Sequence, residues 1–347
     1  MNAKIGQAIV AKVKAKNIRW GKDAQALIRA EIAKYKGKLS SSTDFSWHVT
    51  APGVIKVSLR LKGKMDAFDS SGVTLRQSVD SYIKKGGDPD LAYHVLKQLD
   101  KPNARIKQIN KFTCVPANVQ RDIAKMNPQK YFVLATSLAL KGRAELPNGK
   151  VLQVSAENRK WIESSDMPPN KRINAYFQSA LMDMADGKAK YDAKAGKSTA
   201  ENGLSMAALG IEQARSLWKN VSGTPAFDPV AYMSLMKKQH KPANAKTMLH
   251  EVERLFAAAK GQQRVMVPIK SEANTKNMFH QVTVLQMSKG QIRYFDPAKA
   301  NEVTMSRAEF LDKLASNMKP GDRIGEMGST MLTSGTAAPA PSTGRRR

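Results

Sequence analysis

His280-Gln-Val-Thr-Val-Leu-Gln-Met-Ser-Lys-Gly-Gln-Ile-Arg-Tyr-Phe-Asp296 reads as two strands and the turn between them. Residues 281–287 and 291–295 are rich in β-branched, aromatic and alternating polar side chains, and Ser288-Lys-Gly290 supplies the break. On this reading His280 opens the first strand and Asp296 closes the second. The ends of an antiparallel hairpin meet, so an imidazole and a carboxylate sixteen residues apart come together in space. Asp296 then accepts from one ring nitrogen of His280, and the other nitrogen is left to face a third group.

The chain offers one cysteine for that place, Cys114. Gln108-Ile-Asn-Lys-Phe-Thr-Cys114 leads into 115–126, where Val115, Val119, Ile123 and Met126 form one helical stripe. Pro116 lies in the first turn, where a missing N–H costs nothing. A helix N-terminus carries partial positive charge and unpaired N–H groups, and both favour a thiolate. Gln108, six residues upstream, puts a side-chain amide where it can share a carbonyl oxygen with the Cys114 backbone N–H. Cys114 as nucleophile, His280 as base, Asp296 as orienting group and Gln108 as oxyanion donor fill the four roles of thiol catalysis. A lone cysteine is more often a small buried hydrophobe, and a strand histidine a satisfied core residue. Other histidines do not reproduce the pattern. Phe256 and Met266 stand sixteen residues after His240 and His250. His94 has Asn110 at that distance but precedes Cys114 in a segment that reads as helix.

Around this centre the chain divides by composition. Residues 1–44 form a basic helical extension, with ten Lys/Arg and two Asp/Glu in the first 40 and two amphipathic helices broken near Trp20-Gly21. Residues 45–319 form the main domain, with a core at about 100–315 and a helical insert at 156–260. Within it, 45–62 reads as a hairpin about Ala51-Pro-Gly53, and 73–85 and 90–100 as helices, the latter opened by Asp88-Pro89-Asp90. A hairpin is expected around 144–152 with Asn148-Gly149 as its turn. The clearest helix spans 169–187, where Ile173, Tyr176, Phe177, Ala180, Leu181 and Met184 fall on one face. Residues 187–203 read as an exposed loop, and 205–219, 228–238 and 245–260 as helices. Arg264-Val-Met-Val-Pro-Ile269 is a third strand. Ser306 and Glu309 form a capping box for a closing helix at 307–317. From about Pro320 the Gly/Ser/Thr/Ala/Pro-rich tail to Arg347 reads as disordered.

Composition narrows the function classes. Of 347 residues, 57 are Lys or Arg against 29 Asp or Glu, a formal charge of +28, and 41% are apolar. One cysteine excludes an intramolecular disulfide framework and a four-thiolate zinc site. The histidines are scattered, with no metal-binding spacing, and no phosphate-binding glycine motif occurs, so no cofactor or metal is expected. No stretch approaches eighteen uninterrupted apolar residues, so no membrane span is expected. The positive charge favours an anionic surface, either nucleic acid or acidic membrane. The aromatic residues are not interleaved with the basic runs as a base-stacking platform requires.

Gln108, Cys114 at its helix start, and the His280-to-Asp296 step resemble the papain-like cysteine peptidase superfamily. The phrase Gly290-Gln-Ile-Arg-Tyr-Phe-Asp-Pro297 is similar to the Asp-ending strand of bacterial members, including translocated effector proteases and bacteriocin-processing domains. The resemblance covers roughly residues 100–315. It implies an α+β fold in which a helical subdomain starts at the catalytic Cys114 and an antiparallel sheet bears His280 and Asp296. It implies hydrolysis of amide bonds in a protein or peptide substrate, with deamidation or transamidation open to the same machinery. The chain departs from papain in having Val115 after the cysteine, Asp in place of Asn as orienting group, and the long 156–260 insert.

With a basic extension, no signal peptide and a flexible tail ending Arg345-Arg-Arg347, the chain is similar to an effector or toxin made in the cytoplasm and delivered by a specialised secretion system. A secretion chaperone or immunity protein is a further expected partner. The other class of function is a basic nucleic-acid- or virion-associated binding protein in which Cys114 is inert.

Overall fold

Helix starts are set by local side chains, and they fix where the site can form. A computed structural model describes residues 61–65, 72–110, 112–186, 190–199, 205–206, 209–222, 245–258, 265–270, 278–314 and 323–324. The helices expected before residue 40, the strands expected at 45–60, the helix expected at 228–238 and the tail beyond 324 lie outside these residues. Leu61 is a turn residue, and Lys62 opens a one-turn helix, α1 (Lys62–Met65), rather than ending a strand. Thr74 and Gln77 cap α2 (Leu75–Lys84) reciprocally. Asp88 accepts from Asp90 N at the start of α3 (Pro89–Asp100), with Pro89 in the first turn as expected. A further turn of helix, α4 (Pro102–Arg105), precedes α5 (Cys114–Met126).

Besides the single turns α1 and α4, two longer helices were not anticipated. Asn127 ends α5 and caps α6 (Pro128–Lys141) by accepting from Lys130 N, so the two helices abut with one residue between them. Gly142, at φ 69°, ends α6 in the left-handed conformation that glycine adopts at least cost. Strands β1 (Arg143–Glu145) and β2 (Val151–Gln153) form the expected hairpin. Its loop is longer than an Asn-Gly turn: Gly149 N–H donates to Leu146 O, Gly149 alone has positive φ, and Pro147-Asn148 occupies the turn centre. The second unanticipated helix, α7 (Ala156–Ser164), is capped by Ser155 and leads to α8 (Pro169–Asp186).

Helix α8 packs against α3, α5, α6 and α7. Phe177, Ala180 and Leu181 of α8 join Val119 and Ile123 of α5 and Tyr131 and Phe132 of α6 in one buried cluster that includes Cys114. Each large apolar side chain in such a cluster contributes roughly 1.5–3 kcal/mol.

Residues 187–203, expected as an exposed loop, instead supply strands β3 (Lys190–Asp192) and β4 (Lys197–Thr199), paired with β5 (Ser205–Met206). Tyr191 is buried, and Asn158 both donates to Tyr191 O and accepts from Ala193 N. The helix expected at 205–219 starts later. Strand β6 (Leu209–Gly210) precedes it, and α9 runs Ile211–Ser222.

The main sheet is antiparallel apart from one short strand. Its order is β10-β9-β8-β11-β6, with β7 also on β8. Here β7 is Val265–Lys270, β8 Met278–Met287, β9 Gln291–Asp296, β10 Asn301–Ser306 and β11 Arg323–Ile324. Strand β10 was not anticipated. Strand β11, which pairs parallel to Met278 and Phe279, falls in the stretch expected to be disordered. Helices α10 (Ala245–Ala258) and α11 (Arg307–Lys313), the latter with the expected Ser306–Glu309 capping box, cover one face. That face holds a second cluster, with Val267, Ile269, Val282, Val284 and Tyr294 against Leu249, Val252 and Phe310. Phe279 and Met266 point into the first cluster instead. The fold is therefore α+β: a helical layer and a mixed-length sheet, joined where α5 lies on β8.

Candidate active site

Cys114 is the first residue of α5, as expected, and His280 is the third residue of β8 rather than its first. Asp296 is the last residue of β9. His280 Nε2 donates to Asp296 Oδ1 at 2.8 Å. His280 Nδ1 is buried with no hydrogen-bond partner. The Cys114 side chain lies near enough to act on the same ring. Exposure is 0% for Cys114, 5% for His280 and 6% for Asp296, so the three share a dry environment in which electrostatic interactions are strong.

The meeting of His280 and Asp296 depends on an irregularity in the hairpin. Met287 faces Ile292 and Gln286 faces Arg293, but the next pair is Val284 with Tyr294. Leu285 is the extra residue of a β-bulge. Continued to the strand end, the observed register sets Asp296 opposite Val282, on the same face as His280. Without the bulge Asp296 would stand opposite Thr283 and project to the other face.

Charge in the site follows from these neighbours. Burial works to lower the His280 pKa, but the hydrogen bond to Asp296 and the adjacent Cys114 outweigh it and push the imidazole up to about 10. Burial likewise works against the Asp296 carboxylate. His280, the Ala298 N–H and Lys299 overcome it and hold the group below the ordinary aspartate range. Ala298 N donates to the same Oδ1 at 2.9 Å, which fixes the carboxylate from the turn side.

The helix N-terminus is left open. Thr113 is the residue before α5, yet its hydroxyl makes no capping bond. It accepts instead from Ile109 N at 3.0 Å and donates to Asn110 O. Pro116 has no N–H, and no acidic side chain occupies the first turn. Gln108 lies on the approach to this helix. Its N–H donates to Pro297 O at 2.9 Å, next to Asp296, and its Oε1 is buried without a partner.

No protein-family model, curated protein or solved structure matches this chain.

Sequence reasoning missed the side chain that joins the two halves of the site. Asn118, one turn into α5, donates to Cys114 O at 2.9 Å and to Gln281 O at 2.7 Å. Its Oδ1 accepts from Thr283 Oγ1 at 2.6 Å. It thus ties the turn that carries Cys114 to the strand residue beside His280. An amide side chain one turn after the cysteine, on the same helix face, is the signal that could have found it, because a buried amide must be satisfied across an interface. No group of three or more metal-ligating side chains occurs among the described residues, and no described helix is long and apolar enough to cross a membrane.

Proposed function

We propose that the chain is a cysteine-nucleophile hydrolase of amide bonds with the papain-like arrangement its sequence resembles. The observation that carries this reading is the His280 ring, held through Nε2 by Asp296, with Nδ1 unpartnered and the Cys114 thiol beside it. The Cys114 proton rests on His280 before the reaction starts, and the thiolate adds to the substrate carbonyl carbon. The oxyanion is held by the Gln108 amide and the Cys114 N–H. The imidazolium returns the proton to the leaving amine as the C–N bond breaks, and water or a second amine then attacks the thioester. Asp296 holds the ring orientation throughout. Water as acceptor gives proteolysis or deamidation, and an amine gives transamidation.

The test is acylation by p-nitrophenyl acetate alongside alkylation by iodoacetamide near pH 7. Wild type is expected to give a nitrophenolate burst, and Cys114→Ala to lose it by at least about a thousandfold with its fold intact. A wild-type thiol that reacts no faster than free cysteine, or a burst retained in Cys114→Ala, would refute the proposal.

The charge of +28 favours the second reading, a basic protein that binds nucleic acid or a virion with an inert Cys114. It predicts salt-dependent binding to nucleic acid without acylation. The two readings combine if the basic segments dock the enzyme on an anionic surface. Delivery as a secreted bacterial effector or toxin, with a chaperone or immunity protein, belongs to the same proposal.

A further inference from the structure

The segment that carries Gln108 is held with unusual care. Gln178 of α8 is fully buried. Its Nε2 donates to Lys107 O at 2.8 Å and its Oε1 accepts from Ile109 N at 3.0 Å. One carboxamide therefore clamps the main chain on both sides of Gln108, while Gln108 N–H is tied to Pro297 O. The Gln108 carboxamide itself makes no hydrogen bond among the described residues, and its Oε1 is buried. The main chain is fixed at three points and the side chain is left uncommitted, which is the arrangement a preorganised donor needs.

Gln178 is itself held from behind. It donates to Gln120 Oε1 at 2.9 Å, and Gln120 Nε2 donates to Tyr131 Oη at 2.8 Å and Asn174 Oδ1 at 3.0 Å. Tyr131 donates to Gln98, which donates in turn to Asn174. Buried amides cost free energy unless satisfied, and this chain of bonds satisfies them while restricting the rotamer of Gln178.

We infer that Gln178 is a positioning residue for the oxyanion donor, setting where the Gln108 carboxamide stands relative to Cys114. The inference rests on the hydrolase reading above and adds to it a residue 64 positions beyond the nucleophile. A purely architectural role, tying the 105–109 segment to α8, is the competing account.

Two reagents separate them. p-Nitrophenyl acetate acylates Cys114 through a tetrahedral oxyanion: the C–S bond forms, and p-nitrophenolate leaves with the electron pair of the C–O bond. Iodoacetamide alkylates the same sulfur by direct displacement of iodide, with no oxyanion to stabilise. Gln178→Met is expected to slow acylation about tenfold to a hundredfold, the cost of a small misplacement, with alkylation changed less than about twofold. Added to Gln108→Ala, the same substitution should slow acylation by less than about twofold, because the group it positions is gone.

Acylation unchanged in Gln178→Met overturns the inference. So does a parallel fall in both reactions, and so does an equal further loss in the Gln108→Ala background. If Gln178→Met fails to fold, Gln178→Asn, one methylene shorter, carries the same comparison. Failure of the hydrolase reading is seen separately and first, as a wild-type Cys114 that neither acylates nor alkylates faster than free cysteine.

Discussion

His280 carries its charge because of two neighbours rather than its own exposure. The folded protein holds the proton well above the ordinary histidine value of 6.5, up to about 10. The unfolded chain releases it near 6.5. The pair therefore contributes its full stability below about 6.5 and loses it as pH rises towards 10. Asp296, shifted the other way, contributes above the ordinary carboxylate value of 3.8 and loses its contribution as pH falls through its lower folded value. Asp296→Asn removes the carboxylate that favours the imidazolium. Acylation at pH 7 should fall about a hundredfold, and the alkaline limb of its pH–rate profile should move to lower pH. A profile from pH 5 to 10 that superimposes on wild type would show that Asp296 does not govern the His280 proton. The pairing of His280 with Asp296, and Cys114 at the start of α5, were legible because the sixteen-residue step is short and the residue types are distinctive. Asn118 and Gln178 were not legible, since each acts on partners far away in sequence, Gln281 being 163 residues from the first.

The turn after β9 shows strain of a different kind. Ala300 adopts φ 50°, the only positive φ at a non-glycine among the described residues. A Cβ in that region costs roughly 1–2 kcal/mol. Ala300→Gly should stabilise the protein by about 0.5–1 kcal/mol, after allowing for the greater freedom of glycine when unfolded. Urea unfolding checks this, and a destabilised variant would mean that the methyl group packs productively. Elements with strong local signals, such as α3 with Asp88-Pro89 and α11 with its capping box, were legible to within a few residues. Helix α6 was not read because it follows α5 after Asn127 alone, leaving no polar gap to mark a new start. Strands β3 and β4 were missed because the alternation in Lys190-Tyr-Asp-Ala-Lys-Ala-Gly-Lys is carried by one tyrosine and two alanines, in a stretch whose Gly, Lys and Ala content reads as a loop. Their order comes from the contacts of Tyr191 and Ala193 with Asn158.

At the scale of the whole molecule, Cys114 and His280 sit against different cores. Cys114 lies in the helical cluster, and the strand residues on the His280 face lie in the cluster under α10 and α11. Any sliding of α5 on β8 changes the sulfur–imidazole separation, and Asn118 resists it. The charge is a separate property. Residues 1–40 hold ten Lys/Arg and two Asp/Glu, a net eight of the +28. A chain lacking them should leave an anionic column such as heparin at lower salt while acylating Cys114 at the wild-type rate. Loss of acylation on that deletion would mean that the extension completes the site. The α+β architecture was what the resemblance implied, and individual helices and the late strands were legible from periodicity. The packing of two cores against one helix was not, because it is decided by which strand face each residue takes.

The bulge at Leu285 turns that last point into a rule of parity. A strand repeats every two residues, so one inserted or deleted residue inverts the facing of everything beyond it. The hairpin already holds one such odd step. Between His280 and Asp296, single-residue changes in length would therefore separate the pair, while compensating changes, one gained and one lost, could preserve it. Descendants of this sequence are free to vary the identity of these residues far more than their number.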